Sequence, residues 1–166
     1  MDADLAGNWD PDESDDSDTA RSRHGYLIFH AGCPILWKSQ LQTEIALSST
    51  ESEFTGLSYA LREAIPIMNL FKEMIQMKMP IDSAQAKVHC SVFEDNTGAI
   101  ERAKIPKYRP RTKHLNCRLH HFRSYVDVTK EISIHKINSL DQPADLLTKP
   151  LNKDAVRKFR KMIMGW

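Results

Sequence analysis

Cysteine is scarce in this chain. Cys33, Cys90 and Cys117 are too few and too widely spaced for a disulfide framework or for paired Cys-x-x-Cys metal ligands. Cys117 stands near His120 and His121, but tetrahedral zinc needs four ligands and no second pair accompanies them. Long apolar runs are also missing, and no stretch approaches the roughly 18 residues that span a bilayer. The opening, MDADLAGNWD, has none of the basic residues of a secretory leader, so an intracellular address is expected. With 166 residues, 41% hydrophobic and 27% charged, the chain has the composition of one globular domain. Such a domain buries about 70% of its unfolded surface around a single core.

Basic residues are absent from the first 20 positions, and this exposes a segregation that the net charge of +1 conceals. Eight of the 22 acidic residues precede position 19, so the remainder carries 23 basic residues against 14 acidic ones, a formal +9. An excess of that size suits a polyanionic partner, nucleic acid being the commonest, with a solvated basic face as the plainer alternative. Asp10 and Asp12 have the spacing of a calcium loop, but the glycine required at its sixth position is replaced by Asp15.

The polar stretch 8–24 lacks periodicity and reads as a loop or disordered segment. From Gly25, runs rich in β-branched and aromatic residues, broken at Ala31-Gly32-Cys33-Pro34, predict an antiparallel meander. Phe54, Leu57, Leu61, Ile65, Met68 and Phe71 then follow helical spacing. That helix is predicted to begin near Thr50 and to kink or divide at Pro66. Val88, Cys90 and Val92 alternate as a strand, TGAIERAKI reads as a short helix, and Leu119, Phe122 and Val126 lie on another helical face. EISIHKI gives a further strand, and helical pieces over 143–147 and 154–164 close the chain. The order predicts an α/β domain with a mixed sheet.

Acidic residues fall at the ends of separate predicted elements. Asp95 ends the strand CSVFE, Glu53 opens the long helix, Asp145 opens a short helix after the last strand, and Asp2 or Asp4 begins the chain. Converging carboxylates suit hard divalent cations, which take oxygen ligands. Each also has a plainer reading. Thr50-x-x-Glu53 has the form of a capping box, Asp145 complements a helix dipole, and Asp95-Asn96 is ordinary turn chemistry.

Taken together, DADLAG, LSSTESEFTGLS, VFEDNTGAI, RTKHLNCRLHHFR and DQPADLLTKPL occur in an order and spacing that closely resemble the ribonuclease H domain of copia-type LTR retrotransposon Pol polyproteins. The resemblance covers essentially the whole chain. It implies a ribonuclease H-like α/β fold, a mixed five-stranded sheet flanked by helices, with the first strand largely missing here. It divides the chain into an acidic segment over 1–24 that begins with a remnant of strand 1, the domain over 25–150, and a carboxyl-terminal helix over 151–166. It implies that Asp2, Glu53, Asp95 and Asp145 hold two Mg²⁺, or Mn²⁺ in their place, and are the catalytic residues, with Asp4 as the alternative to Asp2. The implied reaction is endonucleolytic cleavage of the RNA strand of an RNA–DNA hybrid during reverse transcription. The implied partners are that hybrid and an upstream reverse transcriptase. The implied setting is the cytoplasm and, for a complete element, a virus-like particle.

Residues 102–123 contain eight Lys or Arg and no acidic residue, which suits a phosphate track. Arg109, Arg111, Lys113, Arg118 and Arg123 are the candidate contacts, and Tyr108 is available for stacking. Two other readings stand beside the enzyme: an inactive nucleic-acid-binding relic of a Pol polyprotein, and a different nuclease or transposase of the same fold.

Overall fold

The structure, a computed structural model, describes residues 1–13, 15–79, 87–104 and 121–166. The predicted meander is a hairpin of β2 (Arg23–His30) and β3 (Cys33–Leu41), closed at Ala31 and Gly32, both at positive φ. On the other edge of β2 lies β1 (Asp2–Ala3), antiparallel, with Asp2 opposite Gly25. Residues 8–24, read from sequence as loop, contain a 3-10 turn over Pro11–Glu13 and one turn of helix, α1 (Ser17–Ala20), and β2 begins two residues earlier than expected.

A long helix, α2 (Ser49–Gln76), follows. Its buried side chains Phe54, Leu57, Leu61, Ile65 and Met68 are the apolar stripe read from the sequence, while Phe71 is only half-buried. Pro66 does not divide it. The proline is exposed, and so is Arg62, whose carbonyl loses its helical partner there, so water can satisfy the freed group.

Strand β4 (Cys90–Glu94) leads into α3 (Thr97–Lys104). A helix described over 121–127, α4, precedes β5 (Ile132–Lys136), which pairs in parallel with β4. The 3-10 turns Ser139–Asp141 and Pro143–Leu147 lead to α5 (Lys153–Met164). Val92, Ile132 and Ile134 from the parallel pair, Ile100 from α3 and Phe122 from α4 join Tyr26 and the α2 stripe in one core cluster. Among the described residues no helix is long and apolar enough to cross a membrane.

The architecture is α/β with antiparallel and parallel strands, but the five strands form two sheets, β1-β2-β3 and β4-β5, rather than the single sheet expected. The reason lies in β1. It approaches β4 through the α-ammonium of Met1, the residue before it, which donates to Phe93 O at 3.0 Å, and one contact does not make a ladder. Gln142, fully buried, reinforces this junction by donating from Nε2 to Met1 O at 2.7 Å and to Phe93 O at 3.4 Å. Farther along, β2 and β4 face each other across an apolar cleft of about 760 Å³ floored by α2.

Two glycines set how closely other elements approach β1 and β2. A Cβ on Gly56 would lie 2.5 Å from Met1 Cε, the end of a flexible side chain, and 3.2 Å from His24 Cβ, so α2 packs closely against these strands and a larger residue must displace both neighbours. A Cβ on Gly25 would lie 2.6 Å from Leu147 Cβ, which fixes the approach of the 143–147 turn. Gly56→Val is therefore expected to lower the melting temperature by roughly 5 °C, about 2 kcal/mol of overpacking. It should also weaken divalent-cation binding by moving Glu53 away from Asp2. A thermal melt and a Mn²⁺ titration check both effects.

Candidate metal centre

The helix begins at Ser49, close to the predicted Thr50, but Glu53 owes its position to a cap different from the one read from the sequence. The N-cap is Ser48, whose Oγ accepts from Glu51 N at 3.2 Å, while Glu51 Oε2 accepts from Leu47 N at 3.1 Å. Capping is thus done by Ser48 and Glu51, and Thr50-x-x-Glu53 is not the capping box. Glu53 falls in the second turn and turns inward, only 6% exposed, and its Oε2 is buried with no hydrogen-bond partner. A buried carboxylate oxygen without a donor is costly unless a cation or a proton meets it.

Asp2 and Asp95 provide its surroundings. Asp2, on β1, is fully buried, and Asp95 lies half-buried just past the end of β4. One oxygen from each of Asp2, Glu53 and Asp95 lies within 4.8 Å of the other two, a spacing that a single divalent cation can bridge. Asp4 plays another part. Its Oδ1 accepts from Arg23 N at 2.5 Å and its own N–H donates to Arg23 O at 2.9 Å, so it ties the chain to the start of β2.

Asp145, in the 143–147 turn, is brought to the same place through Lys149. The Lys149 ammonium lies 2.9 Å from Asp2 Oδ1 and 3.0 Å from Asp145 Oδ1. The Thr148 hydroxyl donates to the second oxygen of Asp2. Burial works against the ammonium, but its bonds to Asp2 and Asp145 more than offset this and its pKa rises.

Glu94 is a fifth carboxylate that the sequence reading left without a role. It is fully buried, with Oε1 accepting from Asn96 N at 3.0 Å and Oε2 without a partner. The signal for it was present, since the alternation of Cys90 and Val92 places Glu94 on the same face. Lys149 was also missed, although it stands four residues after Asp145 and is an obvious ion-pair position. Burial, and then the charges of Glu94, Asp2 and Asp95, push the Glu53 pKa well above the carboxylate range. Burial also raises Glu94, opposed first by the Met1 α-ammonium charge and then by the Asn96 hydrogen bond, and burial with the Asp2 charge raises Asp145 against Lys149.

The basic segment is less informative. Arg109, Arg111, Lys113 and Arg118 lie outside the described residues, as do Tyr108, Cys117 and His120. Arg123, on α4, bonds through Nε to Asp127 Oδ2 at 3.2 Å. His135 is exposed on β5 and bonds to Ser133 Oγ at 2.7 Å, an ordinary surface histidine.

Comparison with known proteins supplies a context for this geometry. Over 151 residues, 90% of its length, the chain is 34% identical to a retrovirus-related Pol polyprotein from transposon TNT 1-94 of Nicotiana tabacum. It is 32% identical over 155 residues to the corresponding polyprotein from transposon RE2 of Arabidopsis thaliana, and 31% identical to that from RE1. The chain is a homologue of one segment of retrotransposon Pol polyproteins. It spans about a tenth of the length of these relatives. No family model matches it, and no solved structure does.

Proposed function

We propose that this chain is a ribonuclease H-like domain derived from a retrotransposon Pol polyprotein, cleaving the RNA strand of RNA–DNA hybrids with Mg²⁺ or Mn²⁺. The observation that carries the reading is the convergence of Asp2, Glu53 and Asp95 from three separate elements, with Glu53 Oε2 buried and unpartnered. The donor set fits hard divalent cations, being all carboxylate oxygen. Asp2, Glu53 and Asp95 would hold one ion, and Asp2 with Asp145 a second. Bound in such a pair, the cations would activate a water and stabilise the departing 3′-oxygen.

The protein's own contribution is geometry. The buried strand β1 fixes Asp2, the close approach at Gly56 presents Glu53 to it, and the 143–147 turn packed on Gly25 presents Asp145. Phosphate affinity is assigned to the basic segment, with Arg109, Arg111, Lys113, Arg118 and Arg123 neutralising backbone charge. Replacing Arg109, Arg111 and Lys113 together by alanine should reduce the salt slope of hybrid binding by about 2 to 3, as released counterions are lost. An unchanged slope in a salt titration would remove these residues from the interface.

Within a full-length polyprotein, an upstream reverse transcriptase would supply the hybrid, in the cytoplasm or a virus-like particle. The test is a panel of labelled hybrid, DNA duplex and RNA duplex incubated with the protein and Mg²⁺. Cutting confined to the RNA strand of the hybrid is the expected result. Cutting of the DNA duplex would place the chain among other nucleases, and binding without cutting would favour an inactive nucleic-acid-binding relic.

A further inference from the structure

Lys149 plays no part in the reading above, yet the structure places it inside the carboxylate cluster. The inference that follows rests on the divalent-cation reading of that cluster. Its two halves differ. On one side, Glu53 Oε2 and Glu94 Oε2 are buried and have no hydrogen-bond partner. On the other, both oxygens of Asp2 are engaged, one by the Lys149 ammonium and one by the Thr148 hydroxyl, and the same ammonium reaches Asp145. A positive charge held at 2.9 and 3.0 Å between two carboxylate oxygens stands where a bridging divalent ion would otherwise be placed. The Lys149 side chain is 37% exposed, so it lies at the boundary between the cluster and solvent.

We infer that Lys149 is a built-in occupant of the Asp2–Asp145 half of the cluster. The first divalent cation binds Asp2, Glu53 and Asp95 with Lys149 in place. A second enters between Asp2 and Asp145 only as the ammonium swings out to solvent. The second ion therefore binds against two charge-assisted hydrogen bonds, which must break before it can enter. Lys149 acts here as a positioning residue: metal-free, it holds the Asp2 and Asp145 carboxylates to one shared charge.

The test is calorimetric titration of Mn²⁺ into the full chain and into Lys149→Met, which keeps the length of the side chain and removes the charge. The first ion should bind both proteins within a few-fold of equal affinity. The second should bind the variant at least about tenfold more tightly, the weight of the displaced contacts. A second ion bound equally by both proteins overturns the role of Lys149 alone. No Mn²⁺ bound by either overturns the cation reading and this inference with it. Should Lys149→Met fail to fold, the wild-type protein decides through acetylation by N-hydroxysuccinimidyl acetate, read by peptide mass spectrometry against the exposed Lys161. Lys149 should be protected without Mn²⁺ and at one bound equivalent, and become several-fold more reactive at saturation. Reactivity that does not change with Mn²⁺ contradicts displacement.

Discussion

Glu53→Gln is expected to raise the melting temperature of the metal-free protein while abolishing its response to Mg²⁺. Glu53 is 6% exposed, its Oε2 has no partner, and its ionised form is opposed first by burial and then by Glu94, Asp2 and Asp95. Glutamine has nearly the same shape and no charge, so it relieves both costs. The relief is on the order of 2 kcal/mol at pH 8, or about 4 to 8 °C for a chain of this size. The same change removes one cation ligand, so Mg²⁺ should no longer stabilise the fold and hybrid cleavage should fall by roughly 100-fold or more. Thermal melts with and without Mg²⁺ check the first two effects, and a cleavage time course checks the third. A variant with lower stability and an intact Mg²⁺ response would place Glu53 in a structural role instead.

The second large effect is on pH. Glu53, Glu94 and Asp145 all have pKa values raised by burial above those of the unfolded chain. Between the unfolded and folded values the native state holds more protons than the unfolded state, so stability falls as pH rises. The contribution is fully present below the unfolded carboxylate pKa, near pH 4, and is lost as pH climbs through the folded values. The metal-free protein should therefore melt lower at pH 8 than at pH 5.5, by about 5 °C or more. Saturating Mg²⁺ should flatten or reverse that slope, because cation and proton compete for the same oxygens. Melts across this pH range, in chelator and in Mg²⁺, measure the difference directly. A metal-free protein that gains stability from pH 5.5 to 8 would contradict the raised pKa values.

Elements carried by periodicity were legible in the sequence. The α2 stripe, the alternation of β4 and β5, and the turn at Ala31-Gly32 each depend on local pattern and stand close to where they were read, although Val88 falls before β4, and Cys33 and Pro34, read as part of the break, belong to β3. The division into two sheets was not legible, because it depends on how far β1 reaches between β2 and β4, a tertiary matter. Glu53 shows the limit of a motif. Thr50-x-x-Glu53 and Ser48-x-x-Glu51 have the same form two residues apart, and only the true first turn decides which glutamate caps and which faces the core. Lys149 and Glu94 escaped attention for another reason. Which side chain satisfies a carboxylate, as Lys149 does, and which neighbour repels it, as Glu94 does, are set by tertiary packing.

If these carboxylates form a divalent-cation centre that cuts RNA in a hybrid, cleavage depends on each of them. The most direct measurement is a single-turnover assay with labelled RNA annealed to DNA, in Mg²⁺, comparing the wild-type chain with Asp95→Asn. The wild type is expected to cut the RNA strand, and Asp95→Asn to bind the hybrid but leave it intact. Equal cutting by both proteins, or a wild type that binds the hybrid without cutting it, would show that these carboxylates are not the cleavage centre.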